Sequence, residues 1–323
     1  MKIRDSLQDL KNNVISVIGG DARQLFLAQA LADQGYKISA YALTDRIPNT
    51  FSGVKTSNTE KDDFCDINSI FANNQPNITI CNNLQETVTN SRAVILPFPL
   101  SPDGITLNCS GENKPSLREI FASISESCGS NTRVYGGAIK EKSREIAASF
   151  GIDPVDYGAF DEIALENAVP TAEAAVQLAM QLLNVTVRGA FFTVIGYGRC
   201  GSELARLLKA MGGNVCAVAR SGKDRAKMRN DGVTALDFGA IGEAVNSAYV
   251  TFNTVPFNIL DCDILSKLSE GRVIIELASA PGGVDRECAA HYGVKVIHAP
   301  SLPGKYAPKT AAEIIARALI PIL

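Results

Sequence analysis

Residues 190–220, AFFTVIGYGRCGSELARLLKAMGGNVCAVAR, decide the fold of this chain. Phe191 to Ile195 is a short apolar run rich in aromatic and β-branched residues, which reads as a buried strand. Gly196, Gly198 and Gly201 follow at GxGxxG spacing. Leu204, Leu207, Leu208 and Met211 then repeat at i, i+3, i+4, i+7, the stripe of a helix lying on a sheet. Gly212-Gly213 stops that helix, and residues 215–219 form the next strand. The glycines have separate physical jobs: a tight turn, close backbone approach to a pyrophosphate, and close packing of helix on strand. The orphan N–H groups and positive dipole end at the helix start face the phosphates. Any glycine-rich turn can produce such spacing, but here it lies inside a strand–turn–helix–strand unit of the right length. The reading is a dinucleotide site on Gly196, Tyr197, Gly198, Arg199, Cys200 and Gly201; the alternative is a purely structural turn.

An NAD site usually places an Asp or Glu about 20 residues after the glycines, on the ribose 2′-hydroxyl. Arg220 occupies that place, with Ser221, Lys223 and Arg225 close behind. A cationic, hydroxyl-bearing loop suits a 2′-phosphate, so NADP is expected over NAD. The plain alternative is a solvated loop in which Asp224 offsets one charge. Further strands at residues 233–236, 249–252, 272–277 and 294–298 complete a six-stranded sheet. Thr254, Pro256 and Ser279 fall on its loop tips and are assigned to the cofactor.

With 323 residues, the chain has room for two domains. Charged residues make up 20% and the net charge is −3, so neither nucleic acid nor an anionic membrane is an implied partner. The opening MKIRDSLQDLKNNV is charged throughout and lacks the apolar core of a signal peptide. No apolar run approaches the ~20 residues of a membrane span, and a cytoplasmic protein is expected. The eight cysteines show no CxxC spacing and read most simply as free thiols in a reducing compartment. Only His291 and His298 could add imidazoles, and no metal site is expected.

Residues 13–42, NVISVIGGDARQLFLAQALADQGYKISAYA, repeat the pattern of the dinucleotide unit at the same length. Setting Gly19 on Gly196 puts Gly35 on Gly212, while the second and third motif glycines become Asp21 and Gln24. A carboxylate repels a pyrophosphate, and a Gln side chain obstructs close helix–strand packing. The unit is expected to be Rossmann-like yet useless for a dinucleotide. Its turn either binds something else at the helix start or is simply capped by Asp21, with Arg23 and Gln24 solvated. Strands at residues 78–81, 93–96, 133–135 and 155–157, with helices at 117–127 and 140–150, extend a parallel, doubly wound sheet. Ligands bind beyond the carboxyl ends of such strands, which points to the loops carrying Pro97, Ser101 and Gly137.

The fold class is therefore α/β, with two doubly wound parallel-sheet, Rossmann-like domains separated by a cleft. Residues 1–166 plus 305–323 form a substrate-type domain and residues 167–304 the NAD(P)-binding domain. Residues 167–183 make a hinge helix carrying Thr171 and Glu173, with Pro170 in its first turn, and a closing helix spans residues 308–319.

This arrangement resembles the formate/glycerate dehydrogenase and alanine dehydrogenase superfamily, which binds cofactor in the second sheet and substrate between domains. The Arg…Glu…His constellation of its hydroxy-acid members is missing from the expected order. Four stretches match more closely: VIGGDARQ (17–24), ENAVPTAEAAVQLAM (166–180), VIGYGRCG (194–201) and LPGKYAPKTAAEII (302–315). In that order and spacing they resemble the A-subunit family of dipicolinate synthases from spore-forming bacteria. The resemblance implies NAD(P)-dependent oxidation of dihydrodipicolinate to pyridine-2,6-dicarboxylate in the mother-cell cytoplasm during sporulation. It also implies work alongside the flavoprotein-like B-subunit of dipicolinate synthase. Self-association into a homo-oligomer is expected.

Hydride removal from a dihydropyridine-like ring is driven by aromatisation, so the protein's task is orientation and neutralisation of a dianion. Arg23 and Lys305 are the cations assigned to substrate, with Lys309, Asp21 and Gln24 beside them, and Thr171 or Glu173 is assigned to proton handling. Each also has an ordinary structural reading. Two other functions stay open: another amino-, imino- or 2-hydroxy-acid dehydrogenase, or a non-catalytic nucleotide-binding subunit.

Overall fold

The structure is a computed structural model that describes residues 14–43, 46–48, 64–66, 76–110, 114–128 and 132–323. The charged opening stretch lies outside the described residues, apart from Val14. The chain divides into two compact units, unit 1 (Met1–Ala164 and Ala307–Leu323) and unit 2 (Leu165–Tyr306).

Unit 1 runs β1 (Val14–Ile18), α1 (Ala22–Asp33), β2 (Lys37–Tyr41), β3 (Arg46–Pro48), β4 (Phe64–Asp66), β5 (Ile78–Ile80), α2 (Leu84–Val88) and β6 (Ser91–Ile95). It continues through α3 (Leu117–Ser127), β7 (Arg133–Gly136), α4 (Glu141–Ala148) and β8 (Val155–Asp156). The sheet order is β5-β2-β1-β6-β7-β8, with every neighbour parallel, and β3 and β4 pair separately as an antiparallel ribbon.

After α5 (Asp161–Glu166), unit 2 runs α6 (Ala168–Leu182), β9 (Phe191–Ile195), α7 (Arg199–Ala210), β10 (Asn214–Val218), α8 (Gly222–Asn230), β11 (Thr234–Leu236), α9 (Ile241–Ser247) and β12 (Val250–Asn253). It ends with α10 (Cys262–Leu265), β13 (Val273–Glu276), α11 (Arg286–His291), β14 (Lys295–His298) and α12 (Leu302–Tyr306). The order β11-β10-β9-β12-β13-β14 repeats that of unit 1, and both are the doubly wound Rossmann arrangement. The last helix, α13 (Pro308–Leu319), returns to unit 1, where Ala312, Ile315 and Leu319 join Leu27, Ala28 and Leu31 of α1 in one core.

Central strands of a parallel sheet are covered on both faces, which is why β1 and β9 are almost continuously apolar. Phe192, Val194 and Ile195 are fully buried, and the intervening Thr193 is tolerated because its hydroxyl donates to the Ala244 carbonyl at 2.7 Å. Leu204, Ala205 and Leu208 give α7 its inner face, each leucine contributing about 1.5–3 kcal/mol by burial.

Three local readings are corrected. β8 stops at Asp156, and Tyr157 opens a 3-10 turn, because the Asp156 carboxylate accepts N–H bonds from Ala138, Ile139 and Gly158 at 2.8–2.9 Å. The loop after β10 is a helix start, since Ser221 Oγ caps α8 through Lys223 N and Asp224 N. Residues 302–306, for which no element is expected from the sequence, form α12, entered through Ser301 in the left-handed region at φ 57°. The free-thiol reading fails for one pair: Cys262 and Cys288 are joined as a disulfide, with Cα atoms 5.3 Å apart. Asp285 lies beside this pair, a carboxylate oxygen within 4.8 Å of both sulfurs, and caps α11 by accepting from Cys288 N at 3.0 Å. No helix among the described residues is long and apolar enough to cross a membrane.

Candidate functional site

In unit 2 the strand order reverses between β9 and β12, and the glycine turn sits at the carboxyl end of β9. Each motif glycine meets a different surrounding. Gly196 is left-handed (φ 92°), and a Cβ there would strike Thr254 Oγ1 and, at 2.9 Å, Val255 Cγ2. A Cβ on Gly201 would run into the Gly196 carbonyl, so this glycine lets α7 pack on the turn. A Cβ on Gly198 would find nothing within 4 Å, so this one glycine faces open space. Gly198 is also the N-cap of α7 and offers no side chain to the helix's first N–H groups. Two glycines close the turn and the third leaves the approach to the helix start clear, which fits a bound pyrophosphate.

The neighbouring side chains are held in ways the sequence did not disclose. Tyr197, assigned to the cofactor, is turned inward, 2% exposed, and donates to Asp231 Oδ2 at 2.7 Å; burial and that carboxylate push its phenol well above the usual range. Its side chain is therefore structural. Burial pushes the Cys200 thiol up to about 11, so it presents no thiolate charge near the turn. Thr254 donates from Oγ1 to Ile195 O at 2.8 Å, fixing the loop beside Gly196. Pro256 is half-buried in the same loop, and Ser279 is exposed beyond β13, where its carbonyl accepts from Gly282 N at 2.9 Å.

Sequence reasoning missed the pair that braces both loops. Glu276, 2% exposed at the end of β13, accepts from Asn253 Nδ2 at 2.9 Å, Gly283 N at 3.0 Å and Ala278 N at 3.1 Å. Asn253 in turn bonds both the N–H and the carbonyl of Val255. A buried Asn at the end of one strand and a buried Glu at the end of its neighbour are the sequence signal that could have found them.

Beyond β10, Arg220 and Lys223 are exposed, and the Arg220 guanidinium lies 5.6 Å from the Phe238 ring centroid. Arg225 differs: its Nη1 donates to the carbonyls of Ala219 (2.9 Å) and Arg220 (2.7 Å), bracing the end of the strand. Thr171 Oγ1 is spent on Asn167 O at 2.6 Å. Glu173 lines a groove with Val176, Gln177, Met180, Gln181, Leu207 and Met211. Lys305 lies in the last turn of α12 of unit 2, whereas Lys309 is exposed in the first turn of α13 in unit 1.

In unit 1 the corresponding crevice, between β1 and β6, is filled by the chain itself. Gly20 N donates to Asn108 O at 2.6 Å, and a Cβ on Gly19 would meet Leu107 at 2.6 Å. Gln24 is buried under the turn, its amide directed at Ile95 O at 3.4 Å. Arg23, 6% exposed, is bidentate on Asp21 (Nε–Oδ1 2.9 Å, Nη2–Oδ2 2.7 Å), also donates to Phe98 O and lies over the Phe98 ring. The Arg23 guanidinium, assigned to substrate from the sequence, is thus paired with Asp21, which also caps α1. Gly137 gives room to Phe98, its N–H donates to Pro97 O, and buried Ser101 bonds Asp103 and Gly104 N at 2.8 Å. Asp21, Gln24, Pro97, Ser101 and Gly137 are accordingly parts of one packed turn cluster.

The family profile for the N-terminal domain of the dipicolinate synthase A-subunit matches residues 14–73, and that of the D-isomer specific 2-hydroxyacid dehydrogenase, NAD binding domain matches residues 165–286. The dipicolinate synthase A-subunit of Bacillus subtilis (strain 168) is 32% identical over 309 residues, 96% of this chain and 95% of the relative. The chain belongs to the dipicolinate synthase A-subunit family. The crystal structure of the dipicolinate synthase A-subunit from Bacillus halodurans shares its fold with a TM-score of 0.81 at 25% identity, covering 97% of this chain and 98% of that one. The corresponding crystal structure from Bacillus subtilis gives 0.76 at 28% identity, over 96% and 95%. A nicotinamide dinucleotide site in unit 2 and a place among the dehydrogenases follow for this member of the family.

Proposed function

We propose that this chain is the catalytic A-subunit of a dipicolinate synthase, oxidising dihydrodipicolinate to pyridine-2,6-dicarboxylate with NADP. Family membership over 96% of the chain carries the substrate, and the open Gly198 at the start of α7 carries the cofactor. The backbone of residues 198–201 would hold the pyrophosphate, while Arg220, Ser221 and Lys223 would hold the 2′-phosphate. When bound, the oxidised nicotinamide supplies the acceptor for a hydride. The ring gives up that hydride and a proton to solvent, and aromatisation makes the loss downhill, so the chain needs to orient the ring and neutralise two carboxylates. The Asn253–Glu276 brace fixes the loops at the ends of β12 and β13 for that purpose. Cooperation with the flavoprotein-like B-subunit, self-association, and work in the mother-cell cytoplasm during sporulation belong to the same proposal.

The deciding experiment follows reduced nicotinamide and dipicolinate together by absorbance, starting from freshly generated dihydrodipicolinate, with and without the partner protein. Both products should appear in equal amounts and only when this chain is present. Turnover of a simple amino or hydroxy acid instead would redirect the assignment.

Cofactor choice is tested separately. Arg220→Ala should weaken NADP by about one to two powers of ten, the usual loss of one charge-assisted hydrogen bond, and leave NAD nearly unchanged. Arg225→Ala should weaken both cofactors alike, because that guanidinium braces the backbone. Equal losses for both cofactors in Arg220→Ala, measured by titration calorimetry, would sink the NADP preference.

A further inference from the structure

At the carboxyl edge of β13 and β14 in unit 2 stand two side chains with no role so far, Arg286 and His298, together with the Lys305 assigned to substrate from the sequence. His298 ends β14 opposite Glu276 of β13 in the sheet register. Arg286, in the first turn of α11, places Nη2 3.0 Å from His298 Nδ1. Ser301 turns the chain from β14 into α12, which carries Lys305 in its last turn and adds a positive charge near the imidazole.

The hydrogen-bond chemistry fixes the state of this group. A guanidinium only donates, so Nδ1 of His298 must accept, and the ring proton sits on Nε2. The neutral imidazole is favoured further by partial burial and by the charges of Arg286 and Lys305, which together lower its affinity for a proton. Among the described residues the acidic group acting on the ring is Glu276, and both its oxygens are engaged inward by Asn253 Nδ2, Ala278 N and Gly283 N. Arg286 and His298 thus meet at 3.0 Å at this strand end, the charge of Lys305 acts on the same imidazole, and the neighbouring Glu276 carboxylate is turned to its own inward donors. In unit 1, by contrast, the cation assigned to substrate is already neutralised by Asp21.

We propose that Arg286, His298 and Lys305 form the recognition site for one carboxylate of the aromatic dicarboxylate. This rests on the substrate assigned above and replaces Arg23 as its anchor. Arg286 supplies the forked grip, Lys305 the point charge, and His298 a donor whose proton affinity rises when the anion arrives. The sign is fixed: an anion beside the ring favours imidazolium, so binding raises the His298 midpoint, takes up protons, and strengthens as pH falls through it.

With only two histidines in the chain, the measurement is direct. The full-length protein, labelled at its histidine rings and saturated with NADP, is titrated with pH by NMR in the absence and presence of dipicolinate, with His291→Gln to assign the signals. The His298 midpoint should rise by about one unit with dipicolinate while that of His291 stays put. Arg286→Met and Lys305→Met should each weaken dipicolinate by about tenfold or more, with the NADP Kd unchanged, and Arg286→Lys should recover part of the loss. An unmoved His298 in the wild-type protein overturns the site, whatever the variants do. So does an equal response to inorganic phosphate, which would mean an adventitious ion only, or a response to NADP alone, which would give the group to the cofactor. Dipicolinate bound here without any oxidation of dihydrodipicolinate would keep the site and remove the proposed reaction; turnover with a silent His298 would do the reverse.

Discussion

Gly198→Asp is expected to abolish dinucleotide binding while leaving the chain folded. The backbone at Gly198 is extended (φ −76°, ψ −162°), and nothing lies within 4 Å of a Cβ there, so the new side chain meets no obstacle. Asp is also a favoured N-cap, and α7 has no side-chain cap, so stability should hold or rise by about a few tenths of a kcal/mol. The same carboxylate would stand against a pyrophosphate. At about 4 Å and an effective dielectric of about 20, one such repulsion is about 4 kcal/mol, close to a thousandfold in Kd. Gly201→Ala should lose binding by a different route, by pushing α7 off the Gly196 carbonyl, and its thermal stability should fall with it. The converse substitution in unit 1, Asp21→Gly, should not create a second site, because Asn108 O occupies the Gly20 N–H and Leu107 packs on Gly19. Calorimetry with NADP, paired with a melting curve for each variant, checks all three. A second equivalent of nucleotide in Asp21→Gly, or full affinity in Gly198→Asp, would put the cofactor elsewhere.

Those glycines explain why the fold was legible from sequence and the site only in part. Apolar periodicity and glycine spacing are local, and they disclosed both six-stranded sheets, the boundaries of α3 and α13, and the turn after β9. Short elements with weak local signals were lost. The α8 sequence GKDRAKMRN is polar around its circumference and buries only Met228, so no stripe announces it. The α12 sequence LPGKY contains both Pro and Gly, which read as loop residues until packing overrides them. What sequence cannot disclose is which partner a charged side chain takes when two are within reach. Arg23 had Asp21 two residues away and took it; Arg225 took the backbone carbonyls at the end of β10. Pairings between distant strand ends were equally hidden: Asn253 with Glu276, Arg286 with His298, and Cys262 with Cys288 across 26 residues.

The Arg23–Asp21 pair yields the second large effect, and it is an effect on unit 1 rather than on turnover. Asp21→Ala should destabilise by about 2–4 kcal/mol. Roughly 1 kcal/mol of that is the lost cap of α1, and the remainder comes from stranding a guanidinium that is 7% exposed. Arg23→Met should cost less than Asp21→Ala, because the half-exposed Asp21 carboxylate (43%) can return to water and still cap the helix, while the Met side chain keeps contact with Phe98. Removing both partners should then cost less than the sum of the single changes, which is the signature of a coupled pair. Hydrogen exchange in peptides spanning β1 and α1 reads this locally, without assuming that the two units melt together. Below the temperature at which exchange accelerates, kcat/KM for dihydrodipicolinate should stay within about twofold of wild type in Arg23→Met, because the pair's energy is local to the turn. A sharp fall in kcat/KM with unchanged exchange would return Arg23 to the substrate, and Arg23→Lys would separate the cases further. Lys keeps the charge but cannot reproduce two parallel bonds to one carboxylate, so it should loosen the turn to an intermediate degree and leave catalysis alone.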